Sequence, residues 1–289
     1  MPIDAHQHFW HYDAARFGWI TEGMDVLKRD WLPDDLLAQL QATGTEGTVA
    51  VQATASESET GFLLDLARRY RWIRGVVGWV DLARPDVGDR IAGYRDHPAL
   101  VGFRHQLQDE PQYMGDAAFN DGVREVQRQS LVYEVLLFHQ QLQDGVGFCR
   151  RHADHWLVID HLAKPAIGGA PALFATWKAA MTELAAMPHV AAKVSGLVTE
   201  APPGLPPHVL SESIVRHLDV ALELFGEDRL LFGSDWPVCL LATTYQDWHH
   251  RIDQWLRDKG ATLRDKFLGG NARLIYSLAD RPQGGTHGS

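Results

Sequence analysis

Cysteine is scarce in this chain: Cys149 and Cys239 are its two cysteines in 289 residues. They lie far apart and in no metal-ligand spacing, so the sequence argues against a disulfide framework and against a cysteine-based metal site. We therefore expect two buried thiols in a protein of a reducing compartment.

Basic runs and long apolar runs are also missing. The net charge of −10 argues against nucleic acid or an anionic membrane surface as a partner. No apolar run approaches the roughly 20 residues that a transmembrane helix needs. Because polar residues of a candidate site begin at His6, there is no room for a secretory leader, and we expect a cytoplasmic protein.

Several motifs of other enzyme classes are absent as well. The chain has no G-x-G-x-x-G turn, P-loop, H-E-x-x-H or G-x-S-x-G, which are typical of nucleotide-binding folds, zinc proteases and serine hydrolases. It does have 45% hydrophobic residues and ten tryptophans. That composition is enough for a large buried core.

Eight short apolar runs, rich in β-branched residues, predict strands. They begin near Ile3, Thr48, Val76, Val101, Val132, Leu157, Val190 and Leu230. Helical periodicity lies between them, at 34–42, 56–70, 117–129, 172–187, 211–225 and 245–257. In the clearest helix, 56–70, Ser56 and Glu59 predict a capping box.

This alternation of strands and helices predicts the fold class. Strands that are apolar on both faces indicate a parallel sheet covered by helices. Eight such units close most economically into a single (β/α)8 TIM-type barrel, and a doubly wound open sheet is the alternative. We expect one barrel domain over 1–280.

Two segments fall outside the repeating pattern. Residues 281–289 contain three glycines and a proline and predict a frayed tail. Residues 199–207 (TEAPPGLPP) form a proline-rich connection after the seventh strand, which is either a rim or lid of the site or a plain surface loop. Homo-oligomerisation is left open, because no exposed stripe indicates an interface.

The first strand carries an H-x-H motif. Alternate side chains of a strand share a face, so His6 and His8 point the same way. Two imidazoles on one face suit a divalent metal or an acid/base site. The structural alternative is that one histidine caps the strand and the other faces solvent.

Other polar residues follow the predicted strands at their C-terminal ends, where the chemistry of such barrels is found. They are Arg104, His105 and Gln106 after strand four, His161 and Lys164 after strand six, and Asp235 after strand eight. Taken alone, Asp235 would be a turn residue and His161 a hydrogen-bonded core residue. Ionisable groups at the ends of buried strands are costly unless they are paired, ligated or functional.

Three imidazoles and one carboxylate form the candidate centre. His6, His8, His161 and Asp235 suit one zinc-like ion with an open position for water, or equally a metal-free acid/base site.

Substrate contacts are expected from residues around that centre. Trp10 and Trp236 follow the neighbouring first and eighth strands and could stack on a sugar, although packing between helices and barrel explains them equally well. Gln106 and Lys164 would bond hydroxyls, and His105 is a weaker candidate. Tyr113, in the loop after strand four, is likewise a weaker candidate that is either substrate-facing or merely exposed, and His139 is either a rim residue or a catalytic one.

These motifs resemble the amidohydrolase superfamily, through the H-x-H, the strand-eight GSDWP and the closing G-N-A-x-x-x-Y at 270–276. DAHQHFW, GFRHQLQDEP and IDHLAKP are similar to its sugar-lactonase branch, which includes L-fuconolactonase and L-rhamnonolactonase. The likeness spans Ile3 to Tyr276. It implies a (β/α)8 hydrolase that opens the lactone of a sugar acid, with His6, His8, Arg104, His161 and Asp235 at the matching positions.

Two departures limit what the resemblance implies. Strand four ends in Arg104-His105, where binuclear members of the superfamily have a lysine that bridges two metals, so a bridged pair is not expected. His139, after strand five, is not a clear superfamily ligand. Members of the lactonase branch can also work without a metal, so the resemblance leaves open whether one bound zinc is required for activity.

For the reaction, we expect Asp235 to act as general base on a water held by His6, His8 and His161, with Arg104 donating to the developing oxyanion. The alternative is a zinc-dependent decarboxylase or amide hydrolase on the same barrel. A non-catalytic protein that binds sugar acids is a third reading, because fold alone does not fix function.

Overall fold

The fold is a barrel of eight parallel strands in the order β1 to β8. The structure is a computed structural model and describes residues 1–278; the tail expected at 281–289 lies outside them. The strands are β1 Ile3–Gln7, β2 Gly47–Val51, β3 Ile73–Gly78, β4 Leu100–His105, β5 Val132–Val135, β6 Leu157–Ile159, β7 Val190–Val194 and β8 Leu230–Phe232. A parallel bridge between Gln7 and Trp236 joins the end of the first strand to the segment that follows the last. The TIM-type barrel expected from the sequence is confirmed.

Helices follow the strands and cover the outside of the barrel. They are α1 Pro33–Thr43, α2 Glu57–Arg69, α3 Val87–Arg95, α4 Ala117–Arg128, α5 Leu142–Arg151, α6 Pro171–Ala185, α7 Pro207–Phe225 and α8 Tyr245–Leu256, then α9 Ala261–Asp265 and α10 Asn271–Ile275. A π-helical segment, Lys266–Gly270, separates the last two. Short 3-10 helices lie at Asp25–Leu27, Pro111–Gly115, His139–Gln141, Asp160–Ala163 and Val238–Leu241. None of the helices in residues 1–278 is long and apolar enough to cross a bilayer.

Some boundaries differ from the periodicity for physical reasons. α7 begins at Pro207, four residues before the predicted 211, because proline is favoured in the first turn of a helix, where its missing N–H costs nothing. β3 begins at Ile73, ahead of Val76. Helices α3 and α5 each contain two glycines, which weaken helical propensity. These two helices therefore form because they pack against the barrel.

The predicted capping box in α2 does not form. Ser56 makes no capping bond with its side chain. The Glu59 carboxylate accepts hydrogen bonds from the backbone N–H groups of Ala53 and Thr54 at 3.0 and 2.7 Å. These donors are buried in the turn after β2, where an unpaired N–H is costly, so Glu59 satisfies them instead of the helix start.

The strands divide the apolar side chains into two cores. The larger core lies between the barrel and the helices. A smaller core fills the lower part of the barrel and contains Val49, Val51, Val77, Val101, Val132, Val158, Ala191 and Leu231, with Ala272, Ile275 and Tyr276 from the α10 region. The polar residues described below lie above this inner core, at the C-terminal ends of the strands.

Candidate active site

A cavity of about 460 Å³ opens at the C-terminal ends of the strands. His8, Arg104, His161 and Asp235 form its polar floor. Its other lining residues are polar, namely Gln106, Gln108, Asp109, Lys164, Thr199 and Glu200, or apolar, including Trp19, Met24, Leu136, Val238 and Leu241. A shallower cleft of about 820 Å³ lies outside the barrel between α2 and α3, away from the strand ends.

Asp235 is the centre of the polar floor. Its Oδ1 atom lies 3.4 Å from His8 Nε2, 3.7 Å from His6 Nε2 and 3.9 Å from His161 Nε2. The structure therefore brings together the three imidazoles and the carboxylate that were predicted from four separate positions in the sequence.

The outer nitrogens of two imidazoles are held by groups behind them. His8 Nδ1 lies 2.7 Å from the Val51 carbonyl oxygen, and because a carbonyl only accepts, Nδ1 carries the proton and Nε2 is free as an acceptor. His161 Nδ1 lies 2.8 Å from the Ser195 hydroxyl. Partners of this kind fix the orientation of an imidazole toward the reacting centre.

The backbone is strained where it presents these side chains. His161, Leu162, Ala163 and Lys164 all have positive φ, between 49° and 58°, and Asp235 has φ 59°. A left-handed conformation costs a residue with a Cβ about 1–2 kcal/mol. Strain of this type persists where the surrounding structure enforces it, and it is concentrated at functional sites.

Close backbone approach also shapes the site. Gly196 has φ +64°, and a Cβ there would lie 2.8 Å from His161 Nδ1 and 3.1 Å from Asp235 Oδ2. A Cβ on Gly233 would lie 2.8 Å from the Cβ of His6. Both positions require glycine because the neighbouring strand ends and side chains occupy that space.

The orientation of His6 depends on an irregularity in β1. The register between β1 and β2 shifts between Asp4 and Gln7. Below it, Ile3 and Ala5 belong to the inner core, whereas His6 also contacts groups inside the barrel. A bulge can re-aim a side chain in this way.

Arg104 bridges the floor of the cavity to the barrel interior. Its Nη1 donates to Asp160 Oδ2 at 2.9 Å and lies 3.4 Å from His6 Nε2. Its Nη2 donates to the Gln52 carbonyl oxygen. The guanidinium is thus held rigidly with one edge toward the cavity.

A buried cluster of charges lies beneath His6, and the sequence analysis did not assign it. Lys193 Nζ lies 2.6 Å from Glu134 Oε1, 3.3 Å from Asp160 Oδ1 and 3.0 Å from His6 Nδ1. Lys193, Glu134 and Asp160 are all fully buried. The available signal was a charged residue inside each of three apolar strand runs, VAAKVSG, VYEVLLF and LVIDH.

Burial and neighbouring charges set the protonation of these groups. Burial lowers the pKa of His161 to about 4. Burial acts to raise the pKa of Asp235, but the neighbouring His161, His8 and His6 imidazoles outweigh it and hold that pKa well below the usual range. Burial, opposed by Lys193, raises the pKa of Glu134 to about 7. Near neutral pH, Asp235 is therefore a carboxylate beside a neutral His161.

The same atoms can be tested against a metal ion. Donor atoms of His6, His8 and Asp235 lie within 4.8 Å of one another. Zinc bonds of 2.0–2.2 Å in tetrahedral geometry place ligands about 3.4 Å apart, and the distances from Asp235 Oδ1 to His8 and His6 are 3.4 and 3.7 Å. The donor set therefore fits one zinc ion, with His161 as a fourth candidate ligand.

The two tryptophans considered as stacking platforms lie in the core. Trp10 and Trp236 are 1% and 2% exposed. Trp10 packs against Phe17 and donates from Nε1 to the Arg29 carbonyl, and Trp236 packs against Trp31. Neither lines the cavity, so their position corresponds to the packing alternative. Each ring packs against other aromatic side chains in the larger core, between the barrel and the helices.

Of the remaining candidates, some line the cavity and others lie behind its walls. Gln106 and Lys164 line the cavity, Gln106 donating to Gln52 Oε1 at 2.9 Å. His105 lies behind it, between the Trp79 indole at 3.1 Å and Glu110 at 2.9 Å.

Tyr113 and His139 support the walls from outside. The Tyr113 ring packs edge-on against His105, and His139 Nδ1 lies 2.8 Å from the Lys164 carbonyl oxygen. Neither lines the cavity.

The proline-rich connection forms part of the rim. Thr199 and Glu200 line the cavity, and the Glu200 carboxylate lies 3.9 Å from Lys164 Nζ. The segment 201–206 then leads into α7. The first two residues of the loop thus belong to the site.

Residues 3–278 match the family model of amidohydrolases. The chain belongs to the amidohydrolase family. It is 46% identical to L-fucono-1,5-lactonase of Burkholderia multivorans over 291 aligned positions, covering 97% of each chain. It is 37% identical to L-fucono-1,5-lactonase of Burkholderia ambifaria, covering 99% of this chain and 98% of that one. The family expected from the motifs is confirmed.

A solved structure gives the same result for this amidohydrolase. The crystal structure of an amidohydrolase from Burkholderia multivorans with bound zinc superposes with a TM-score of 0.93 at 47% identity, covering 96% of this chain and 100% of that chain. Zinc in that relative agrees with the donor set found here.

Proposed function

We propose that this amidohydrolase hydrolyses a sugar-acid lactone, L-fucono-1,5-lactone or a close analogue, to the open-chain acid. The observation that carries the proposal is the 46% identity over 97% of both chains to an L-fucono-1,5-lactonase. The cavity supports it: about 460 Å³ is a size usual for small-molecule sites.

The reaction begins at Asp235. A water molecule beside its ionised carboxylate gives up a proton to it and attacks the lactone carbonyl carbon. The C–O bond to the ring oxygen then breaks, and the proton held by Asp235 moves to that oxygen, which leaves as a hydroxyl. His6, His8 and His161, which surround the carboxylate, orient it throughout.

The negative charge that develops on the carbonyl oxygen needs a donor. Arg104 lines the cavity and is fixed from behind by Asp160 and the Gln52 carbonyl. A preorganised donor of this kind stabilises the charge without reorganising during the reaction. Arg104 therefore serves as the oxyanion contact.

The mixed polar and apolar lining of the cavity suits a deoxy sugar. Gln106, Lys164 and Glu200 offer donors and acceptors to ring hydroxyls, while Met24 and Leu241 offer apolar contact to a methyl group.

The metal is a separate part of the proposal. His6, His8 and Asp235, with His161, would hold one zinc ion, which when bound would supply Lewis-acid polarisation of the water and the carbonyl. Each chain residue keeps the orienting or proton-transfer role given above.

The decisive test is a pH-indicator assay of the purified protein on a panel of aldonolactones, with and without a chelator. We expect rapid acid release from L-fucono-1,5-lactone. Activity that disappears with the chelator and returns with zinc would establish the metal, whereas activity that survives would assign the histidines to acid/base work. No hydrolysis under either condition would refute the lactonase proposal.

Asp235→Asn tests the proposed base. The amide keeps the shape and cannot accept the proton, so we expect kcat to fall about a thousandfold. The folded state is checked by circular dichroism and thermal unfolding. Near-normal turnover by this variant would remove Asp235 from the role of base.

A further inference from the structure

The closing motif at 270–276 has a structural position that the proposed reaction does not use. Asn271 donates from Nδ2 to the carbonyls of Glu227 and Leu230, both at 2.8 Å, which ties α10 to the start of β8. Tyr276 follows this helix and packs with the inner core of the barrel. Its ring thus enters the barrel from the end opposite the cavity.

From Tyr276, a chain of buried polar contacts leads up to His6. The Tyr276 hydroxyl donates to Glu134 Oε1 at 2.5 Å, and the same oxygen lies 2.6 Å from Lys193 Nζ. Lys193 Nζ then reaches His6 Nδ1 at 3.0 Å and Asp160 Oδ1 at 3.3 Å. Tyr276 is 3% exposed and the other four residues are fully buried.

We infer that Tyr276 is a positioning residue for the hydrolytic site, acting through Glu134 and Lys193 on His6. The inference rests on the proposed function for its kinetic consequence. Tyr276 does not line the cavity, so it acts without touching substrate.

The geometry of Lys193 explains how the effect is transmitted. An ammonium has three donors and no acceptor, and here Glu134 Oε1 of β5, His6 Nδ1 of β1 and Asp160 Oδ1 of the turn after β6 lie within 3.3 Å of it. Glu134 Oε1 receives both the Tyr276 hydroxyl and the Lys193 ammonium. Loss of the tyrosine hydroxyl frees the Glu134 carboxylate to rotate, and Lys193 and the His6 ring then lose their fixed orientation.

Tyr276→Phe removes one hydroxyl and keeps the ring that fills the barrel. A matched control is Tyr133→Phe: Tyr133 is fully buried on the same strand as Glu134, but its ring packs against Phe119 and Phe148 in the helical layer. We expect kcat of Tyr276→Phe to fall about tenfold with KM within about twofold, as for other residues that orient a site from behind. Tyr133→Phe keeps both constants.

A second readout does not depend on activity. The ring ¹⁵N signals of His6, identified by their loss in His6→Gln, report its hydrogen bonds. We expect them to shift in Tyr276→Phe and to stay in place in Tyr133→Phe. If Tyr276→Phe does not fold, Glu134→Gln, which keeps the side-chain shape, is expected to show the same fall in kcat and the same ¹⁵N shift.

The outcomes separate this inference from the proposed function. Unchanged kcat with unchanged His6 signals in Tyr276→Phe would overturn it, as would equal effects in the two tyrosine variants. If the wild-type protein hydrolyses no lactone, the proposed function fails, while the ¹⁵N comparison still decides whether Tyr276 positions His6.

Discussion

The two ends of the barrel interior are built from the same strands and hold opposite kinds of side chain. At the lower end, Val77 and Val132 pack with Ile275 in a dry core. At the upper end, His161 and Asp235 have left-handed backbone conformations. In barrels of this class, the lower face provides stability and the upper face provides chemistry.

The comparison teaches where this protein tolerates strain. The upper end combines unfavourable backbone conformations with buried charges, both of which lower stability. The apolar residues that fill the lower end carry no charge, and their packing stabilises the fold. This stabilisation can offset the cost of the upper end. Changes at the upper end and changes to the apolar residues of the lower end should therefore separate activity from stability.

The largest effect on activity relative to stability is expected for Gly196→Ala at the upper end. The new Cβ would meet the His161 ring and the Asp235 carboxylate. Displacement of these groups by a fraction of an ångström is expected to lower kcat/KM about a hundredfold. Steady-state kinetics on L-fucono-1,5-lactone measures this.

The control for backbone strain is Gly226→Ala. Gly226 has φ +68°, close to that of Gly196, but among the described residues nothing lies within 4 Å of its added Cβ. With ψ −171° its backbone is in a region that essentially only glycine adopts, so Gly226→Ala should lose about 1–3 kcal/mol of stability and keep its kinetics. Equal kinetic losses in the two variants would attribute the effect to backbone strain and contradict the contact explanation.

The converse is expected for Val77→Ala at the lower end. Val77 is fully buried in the inner core, and the cavity left by its methyl groups should lower the free energy of unfolding by about 2 kcal/mol. We expect unchanged kcat, measured alongside denaturant unfolding. A large fall in kcat would show that the two ends are not independent.

The smallest effect is expected in the cavity wall. Trp19 lines the cavity, and Trp19→Leu should raise KM about fivefold through loss of aromatic contact with substrate. Trp10→Phe, in the adjacent core, should lower the melting temperature and leave KM unchanged. A rise in KM for Trp10→Phe alone would restore the stacking role considered from the sequence.

The fold could be predicted because apolar strand runs and segments with helical periodicity alternate along the chain. Five of the predicted strand starts, from Ile3 to Leu230, coincide with the observed ones, since short apolar runs between helices have one economical arrangement. His6, His8, His161 and Asp235 could be brought together for a related reason. The ends of parallel strands converge at one face of a barrel.

The supporting residues could not be predicted in the same way. A lysine in VAAKVSG is recognisable as unusual, but its partners Glu134 and Asp160 come from other strands, and only the closed barrel pairs them. Trp19 lies in the long connection between β1 and α1, which has no periodicity to orient it. Trp10 and Trp236, next to the strand ends, were easier to single out from the sequence as residues that stack on substrate. In the structure both are buried in the core.

The contact between the π-helical segment and β1 has a consequence for how the protein is made. A Cβ on Gly269 would collide with the Met1 carbonyl, so the segment before α10 lies directly against the start of the first strand. During synthesis on a ribosome, β1 emerges first, and this segment and α10 emerge last among the described elements. The floor beneath His6 is therefore completed only after translation of residue 276, and shortened chains that stop earlier lack it.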